Sequence, residues 1–282
     1  MDFDYRQAFD RNLGILSEED ADRIRRFRVG IAGVGGCGGN HLLALTRLGF
    51  ERFTLTDPDT FELANLNRQA GANMATLGRP KAEVMADMAR AINPNVDVRI
   101  IPGGFVPENV DRFYDGLDIA VNGLDWFAID NWPAFHDTAR ARGIYATCGA
   151  APFGLAAAIT FFGPQTPSFM DCFGLEEGDD QTTKLRKFVR GMLPTGFNQA
   201  YLPPELTTIA DPMRDTRISS VSPTLYLCTA LTAAEVLLVL LGRRQPILAP
   251  NVLQVDLFLR AMAVSHMPTA RVAPVQPQSW GD

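Results

Sequence analysis

The fold is decided by residues 28–68, which read RVGIAGVGGCGGNHLLALTRLGFERFTLTDPDTFELANLNR. The apolar run Val29–Ala32 predicts a buried strand, and a glycine-rich turn with G-x-G-x-x-G spacing follows it directly. Asn40–Leu48 has leucines at every third position, which predicts a helix. A second apolar run, Phe53–Leu55, ends just before Asp57. This order of strand, glycine turn, helix, strand and acid is typical of a βαβ nucleotide-binding unit.

The glycines of this turn are expected to let the backbone approach phosphate groups closely. They are Gly33, Gly35, Gly36 and Gly38. The helix that follows presents free N–H groups and the positive end of its dipole, which favours an anion. Asp57 lies nineteen residues after Gly38, where a carboxylate can accept hydrogen bonds from ribose hydroxyls.

The residues after Asp57 favour a triphosphate over a nicotinamide. A polar loop that contains Asp59, Asn67 and Arg68 comes next, and Lys81 opens a helix thirteen residues beyond Arg68. Two fixed cations beside the glycine turn suit a nucleotide whose phosphate charge must be neutralised during transfer. The sequence therefore predicts ATP rather than NAD.

Five short motifs in this region together resemble one enzyme family. They are G-x-G-G-x-G, D-x-D-x-F, N-L-N-R-Q, G-x-P-K-A-E and I-N-P, all between Gly33 and Pro94. On these motifs the chain resembles the ThiF/MoeB family of adenylating enzymes, which includes the adenylation domains of ubiquitin-activating enzymes. The resemblance is strong over residues 11–162 and general elsewhere. It implies that ATP binds to the glycine turn, Asp57, Asp59, Asn67, Arg68 and Lys81.

The resemblance also implies roles for Asp125 and Arg11. Asp125 follows the predicted strand Leu117–Val121 and matches the family's magnesium-binding aspartate. One or two carboxylates plus nucleotide phosphates commonly hold Mg²⁺, although a helix N-cap is an alternative role for Asp125. Arg11 matches an N-terminal arginine that commonly reaches, in this family, from the other subunit of a dimer towards the ATP phosphates. The alternative for Arg11 is an ordinary solvent-exposed arginine.

The predicted fold class is α/β, with a Rossmann-like, doubly wound and mostly parallel sheet, helices on both faces and an added C-terminal strand and helix region. Residues 1–27 are predicted to form an N-terminal arm and helix, and residues 28–163 the ATP-binding core. Residues 164–282 are predicted to supply a lid or crossover loop, a dimerisation helix and a closing strand on the same domain. Predicted strands cover residues 96–101, 117–121, 144–148, 156–162 and 252–259, and predicted helices cover residues 81–92, 129–142 and 184–192.

Composition narrows the class of protein further. The 282 residues are 46% hydrophobic, which is ordinary for a packed globular protein, and carry a net charge of −6. Without a cluster of Lys and Arg, nucleic-acid binding is not expected. The N-terminus has no signal-peptide pattern and the four cysteines have no paired spacing, which indicates a cytoplasmic protein with reduced thiols. The apolar stretch 225–241 is interrupted by Thr and Glu, so no membrane partner is expected.

The cysteines and histidines suggest neither zinc nor thiol chemistry. Many relatives with this pattern hold a structural zinc with two C-x-x-C pairs, whereas Cys172 has no neighbouring cysteine, so no zinc is expected. Cys148 and Cys172 are candidates for acyl transfer, with a small buried residue as the favoured alternative. Cys37 lies inside the glycine turn. The histidines are scattered and receive no catalytic role; they are His41, His136 and His266.

These features predict an enzyme that uses ATP and Mg²⁺ to adenylate a carboxylate, with an acyl-adenylate and pyrophosphate as products. The resemblance implies that the carboxylate is the C-terminus of a small ubiquitin-like or sulfur-carrier-type protein, or of a peptide. Arg68, Lys81, Asp125 and Arg11 are the predicted catalytic residues. Three alternatives stay open: a dehydratase acting on threonylcarbamoyladenosine in tRNA, which the acidic net charge disfavours, an NAD-dependent oxidoreductase, and a non-catalytic scaffold.

A homodimer is predicted from one further stretch. Residues 224–241 are apolar nearly all round the predicted helix, and a helix on the outer layer of a domain cannot bury such a surface by itself. A two-fold partner is the usual solution.

Overall fold

The protein is described by a computed structural model over residues 2–194 and 220–272, without the side chains of residues 150–153. The helices of this part of the chain are α1 (Tyr5–Ala8), α2 (Glu18–Ile24), α3 (Gly36–Leu48), α4 (Lys81–Ile92), α5 (Val110–Tyr114), α6 (Trp132–Ala141), α7 (Phe169–Phe173), α8 (Gln181–Met192) and α9 (Ser222–Leu240). The strands are β1 (Arg28–Ala32), β2 (Arg52–Thr56), β3 (Asp97–Ile101), β4 (Ile119–Asn122), β5 (Tyr145–Phe153), β6 (Ala156–Phe162), β7 (Asn251–Asp256) and β8 (Ala261–His266).

These strands form one eight-stranded sheet in the order β3-β2-β1-β4-β5-β6-β7-β8. The first five strands run parallel, and β5 to β8 pair antiparallel. The predicted α/β class with a Rossmann-like, mostly parallel sheet is confirmed. The strand order reverses between β1 and β4, and ligands of open α/β sheets bind at such a reversal, outside the carboxyl ends of the strands.

Alternate residues of the central strands pack into different cores, so helices cover both faces of the sheet. Ile119 and Val121 of β4 belong to the core beneath α3, α4 and α9. Ala120, between them, belongs to the core beneath α5 and α6. Because side chains alternate along a strand, these two cores lie on opposite faces. The glycine turn at the end of β1 is therefore held between two packed layers.

Two predicted boundaries are wrong, and one strand was not predicted. Helix α3 begins at Gly36 rather than Asn40, so the glycines enter its first turn. Strand β5 was expected to end at Cys148 but continues to Phe153, because its last residues pair with β6 in a hairpin. Strand β8 was not predicted at all. It is an exposed edge strand with no apolar alternation to mark it.

Helix α9, which was predicted as a dimerisation helix, packs partly inside its own chain. It is long and apolar enough to cross a membrane by length and composition, yet half of that span is buried, and it packs on α3, β5 and β6. Leu225 and Leu237 are buried without any partner chain, as is Leu241 just after the helix. Leu227, Leu231 and Leu238 are only partly buried, so these contacts do not test the predicted homodimer.

The region predicted as a lid contains more structure than expected. Helix α7 was not predicted, and α8 begins at Gln181 rather than Lys184. Both helices pack against α6 through aromatic contacts, such as Trp132 against Phe188 with ring centroids 4.6 Å apart. Residues 195–219 of the predicted lid lie outside the described residues.

His136 lies inside this aromatic cluster and has no exposed surface. Its Nδ1 lies 2.8 Å from the Trp132 carbonyl oxygen, and its ring stacks on Phe169. Burial, which is only partly offset by the carbonyl contacts, lowers the pKa of His136 to about 4. The folded protein therefore keeps this ring neutral at pH values where an unfolded chain would protonate it.

We expect the free energy of unfolding to decrease as the pH falls from 6.5 to 4. In this window the unfolded chain binds a proton at residue 136 that the folded chain does not bind, so the loss reaches about 3 kcal/mol. Urea unfolding of the wild type and of His136→Gln at pH 7.5, 5.5 and 4.5 measures it. The variant should lose less stability with falling pH. An identical decrease of the free energy of unfolding in both proteins would contradict the assignment of this pH dependence to His136.

Candidate nucleotide-binding site

The glycine turn is shaped by contact between backbones. Gly33 has φ +82°, and a Cβ there would lie 2.2 Å from the Gly123 carbonyl oxygen. A Cβ on Gly38 would lie 1.8 Å from the Gly33 carbonyl oxygen. No side chain fits at either distance, so Gly33, Gly38 and Gly123 are required for the turn to close on the end of β4. Packing within the protein, before any ligand, accounts for these glycines.

The turn delivers the N-terminus of α3 to the carboxyl end of the sheet. Its N-cap is Gly35, and no side chain caps the helix. The first N–H groups of a helix have no partner within the helix, and its dipole is positive at this end, so they suit an anion. Asn40 stabilises the arrangement, since its Nδ2 donates to the Gly36 carbonyl oxygen at 2.6 Å and lies 3.4 Å from the Arg68 carbonyl oxygen.

Asp57 holds the turn in place. Its Oδ2 accepts from the Val34 N–H at 2.7 Å, and its Oδ1 accepts from the Asp59 N–H at 2.9 Å. Burial raises the pKa of Asp57, and these two backbone hydrogen bonds together with the charge of Lys81 oppose that change. The predicted ribose ligand is therefore also a structural link between β1 and β2.

The predicted phosphate-binding cations differ in their surroundings. Lys81, the first residue of α4, is largely buried, and its Nζ lies 2.9 Å from Oδ2 of the exposed Asp59. Arg68 is half-buried and donates from Nη1 to the Ala64 carbonyl oxygen and to Oδ1 of Asn67. Asn67 in turn donates to the Ser220 carbonyl oxygen at 2.9 Å, which ties the polar loop to the start of α9.

Gln69 is a site residue that the sequence motif contained but that received no role. It is buried, and its Oε1 has no hydrogen-bond partner. A Cβ built on Gly35 would lie 3.4 Å from that oxygen, so the amide faces the glycine turn. A buried polar atom without a partner is costly, and a ligand that donates a hydrogen bond there would remove the cost.

Asp125 follows Gly123 by two residues and so lies beside the glycine turn. Its Oδ1 accepts from the Phe127 N–H at 3.1 Å, which caps the 3-10 helix Trp126–Asn131. The side chain is exposed. Its charge raises the pKa of the Cys37 thiol, whereas the charge of Arg68 lowers it. Within the described residues, no group of three or more His, Cys, Asp or Glu could hold a metal ion, and one or two carboxylates together with nucleotide phosphates and water are a common ligand set for Mg²⁺.

Arg11 does not reach the glycine turn of its own chain. It is exposed in the 3-10 helix Asp10–Asn12. The adjacent Asn12 donates to the carbonyl oxygens of Arg47 and Leu48, at the C-terminal end of α3. Because α3 has thirteen residues, this end is about 20 Å from the glycine turn.

Cys148 and Cys172 are structural in this geometry. Both are buried in the core shared by β5, α7 and α8. Burial raises the pKa of Cys148 well above its usual value and raises the pKa of Cys172 to about 12. Both are small buried residues, as the favoured interpretation of the sequence held, and raised pKa values disfavour nucleophilic transfer by either thiol.

Comparison with known proteins identifies the family. A model described as "ThiF family" matches residues 9–279. The chain belongs to the ThiF family. The family predicted from the five motifs is thus confirmed, and the match extends beyond them to nearly the whole chain.

Individual ThiF relatives match a smaller part of the chain. The tRNA threonylcarbamoyladenosine dehydratase of Bacillus subtilis is 33% identical over 118 residues, which are 42% of this chain and 46% of that protein. The SAMP-activating enzyme E1 of Haloferax volcanii is 32% identical over 138 residues, 48% of this chain and 49% of that protein. The chain thus spans about half the length of the curated relatives it matches.

The fold of this ThiF chain is similar to that of E. coli MccB in its crystal structure with ATP. The TM-score is 0.65 with 17% sequence identity, over 90% of this chain and 67% of the other. At this identity the similarity establishes the shared fold.

We expect Asp57→Asn to destabilise the ThiF fold by about 2 kcal/mol, because an amide accepts through only one of its two terminal atoms and one charge-assisted hydrogen bond is lost. Urea unfolding measures the change. Asp111→Asn, at an almost fully exposed position, is the matched control. Equal stability of the two variants would contradict the role of Asp57 in holding the turn.

Proposed function

We propose that this ThiF protein adenylates a carboxylate with ATP and Mg²⁺, and that the carboxylate is the C-terminus of a small protein or peptide. One observation carries the proposal: the uncapped N-terminus of α3, the unpartnered Oε1 of Gln69 and the cation Arg68 all meet at the carboxyl end of the parallel strands. The name of the Haloferax volcanii relative, a SAMP-activating enzyme, supports a protein substrate.

In this proposal the ionised carboxylate attacks the α-phosphorus of ATP, and pyrophosphate leaves. The attacking group needs no general base, because a carboxylate has already lost its proton at neutral pH. The free N–H groups of α3, with Gly35, Gly36 and Gly38, bind the phosphates. Arg68 and Lys81 balance negative charge that would otherwise oppose attack.

We assign binding of the ribose and of the metal to aspartate carboxylates. Asp57 and Asp59 bind the ribose or the metal, and Asn67 orients Arg68 from the polar loop. Asp125 binds Mg²⁺, which neutralises phosphate charge when bound. The cap that Asp125 makes to Phe127 engages Oδ1 and fixes the direction of the carboxylate. We further propose that the protein is cytoplasmic and binds no structural zinc.

A second candidate function is the dehydration of threonylcarbamoyladenosine in tRNA. It is favoured by the 33% identity to the Bacillus subtilis dehydratase. Its substrate also carries a carboxylate, so the same activation chemistry would serve. Against it stands the net charge of −6, since phosphate contacts supply most of the affinity for nucleic acid.

ATP–pyrophosphate exchange separates these functions. We expect exchange to depend on ATP, Mg²⁺ and a peptide ending in a free carboxylate, and to be absent with the same peptide amidated at its C-terminus. Threonylcarbamoyladenosine-containing tRNA is the competing substrate. Exchange with the tRNA alone would favour the dehydratase, and calorimetric binding of NAD without binding of ATP would exclude both adenylating functions.

Replacement of Asp125 by Asn should distinguish its role as a helix cap from its role as a metal ligand. Asn is as good an N-cap as Asp, so the unfolding midpoint should change little, while exchange should fall at least tenfold because a charged metal ligand is lost. Asp130→Asn, a neighbouring exposed acid paired with Lys184, is the control. An unchanged rate of ATP–pyrophosphate exchange in Asp125→Asn would show that Asp125 serves only as a helix cap.

We also propose a homodimer in which Arg11 serves the ATP site of the partner, because Arg11 lies at the far end of α3 in its own chain. Arg11→Ala and Lys81→Ala should each be inactive, and a mixture that has exchanged subunits should regain part of the wild-type rate, since one site per mixed dimer is then intact. Native mass spectrometry verifies the exchange. No recovery in a verified mixture would exclude action across the interface.

A further inference from the structure

Helices α3 and α9 bring together two thiols and an imidazole that the proposed adenylation does not use. Cys37 is the second residue of α3, and His41 lies one helical turn later on the same face. Cys228 faces them from α9, where Thr232 is one turn further along. Cys37 packs against the buried Cys228 in one side-chain cluster between the two helices. Because both pairs have helical spacing, each pair lies on one face of its helix, and the two faces form one cluster.

The position of the helix start hides this cluster in the sequence. If the helix began at Asn40, as predicted, Cys37 would lie in the turn and His41 would have no cysteine or histidine four residues away. Because α3 begins at Gly36, Cys37 and His41 form an i, i+4 pair. Cys228, 191 residues beyond Cys37, could be placed only by the packing of α9.

The two cysteines differ in burial. Cys228 is buried among Ala157 and Leu225, whereas Cys37 is half-buried at the edge of the same cluster. The neighbouring Cys37 thiol and the His41 ring lower the pKa of Cys228, against the effect of burial. The inner thiol is therefore easier to deprotonate, and Cys37, which is the partly exposed residue of the pair, is the one that an oxidant meets first.

We propose that Cys37 and Cys228 are an oxidation site, at which a hydroperoxide converts the two thiols into a reversible disulfide that joins α3 to α9. Cys148 and Cys172 lie in a different core, where both residues are buried, and they stay reduced under the same treatment.

The reaction balances with the hydroperoxide as the only co-reactant. The Cys37 sulfur attacks the peroxide oxygen and breaks the O–O bond, and the proton of the Cys37 thiol goes to the departing alkoxide or hydroxide, which leaves a sulfenic acid on Cys37 and an alcohol or water. The Cys228 sulfur loses its proton to His41 and attacks the Cys37 sulfur. The S–O bond breaks as the S–S bond forms, and the leaving hydroxide takes the proton back to become water. Two thiols lose two electrons and one hydroperoxide gains them.

The disulfide would act on the glycine turn. It requires sulfurs about 2.05 Å apart, closer than two thiols that are only packed together. The helices have little room to approach, because even a Cβ on Gly36 would lie 3.1 Å from the Leu225 side chain. The bond therefore displaces the first turn of α3, whose N–H groups serve the phosphates. This effect on ATP rests on the proposed function, whereas formation of the disulfide does not.

The test treats full-length protein with hydrogen peroxide and then blocks remaining thiols with an alkylating agent. Peptide mass spectrometry should find a Cys37–Cys228 disulfide that dithiothreitol removes, in the wild type and in the control Cys172→Ala. Cys228→Ala should form none and should instead accumulate oxidised Cys37. His41→Gln, which keeps a polar side chain, should slow disulfide formation without preventing it.

Calorimetric titration with ATP·Mg²⁺ before oxidation, after oxidation and after dithiothreitol gives the second readout. Loss of one charge-assisted contact predicts about tenfold weaker ATP binding in oxidised wild type, full recovery on reduction, and no change in Cys228→Ala. Absence of the Cys37–Cys228 disulfide, or its formation at the same rate as any Cys148–Cys172 disulfide, overturns the proposal. A disulfide in a protein that never binds ATP upholds the oxidation site and overturns the proposed function.

Discussion

The contact between the backbones of Gly33, Gly38 and Gly123 is the constraint on which the rest of the site depends. At this point β1 turns into α3 against the end of β4, and carbonyl oxygens occupy the space that side chains would need. Any residue larger than glycine would push α3 away from the sheet. The approach of this helix fixes the direction of its N-terminus, and with it the position of the free N–H groups that face the proposed phosphates.

The charged residues around the turn have structural partners before any ligand arrives. Asp57 binds two backbone N–H groups, Asp125 caps a short helix, and Lys81 pairs with Asp59. Such contacts hold each side chain in one orientation, which reduces the entropy lost on binding. A structural role and a ligand role are therefore compatible at these positions.

The sequence was sufficient where the signal is local. The helix Lys81–Ile92 and the strand Ala156–Phe162 have the predicted bounds, because one begins after a proline and keeps helical spacing and the other follows a glycine turn. Long-range contacts were not predictable in the same way. The extension of β5 depends on β6, β8 depends on β7, and the pairing of Cys228 with Cys37 depends on the packing of α9. Gln69 was present in a motif, but only the structure reveals that its buried oxygen faces the turn.

The ion pair between Lys81 and Asp59 also determines how salt would affect the site. Because Lys81 is already neutralised within the protein, an arriving phosphate must compete with Asp59 for it and gains only the difference between the two attractions. Arg68 contacts neutral oxygens of Ala64 and Asn67, so its charge still attracts anions through the solvent. Dissolved ions screen exposed charges most strongly at separations beyond a Debye length of about 8 Å. The ionic-strength dependence of nucleotide association would therefore report mainly on Arg68, and Lys81 would contribute after contact has been made.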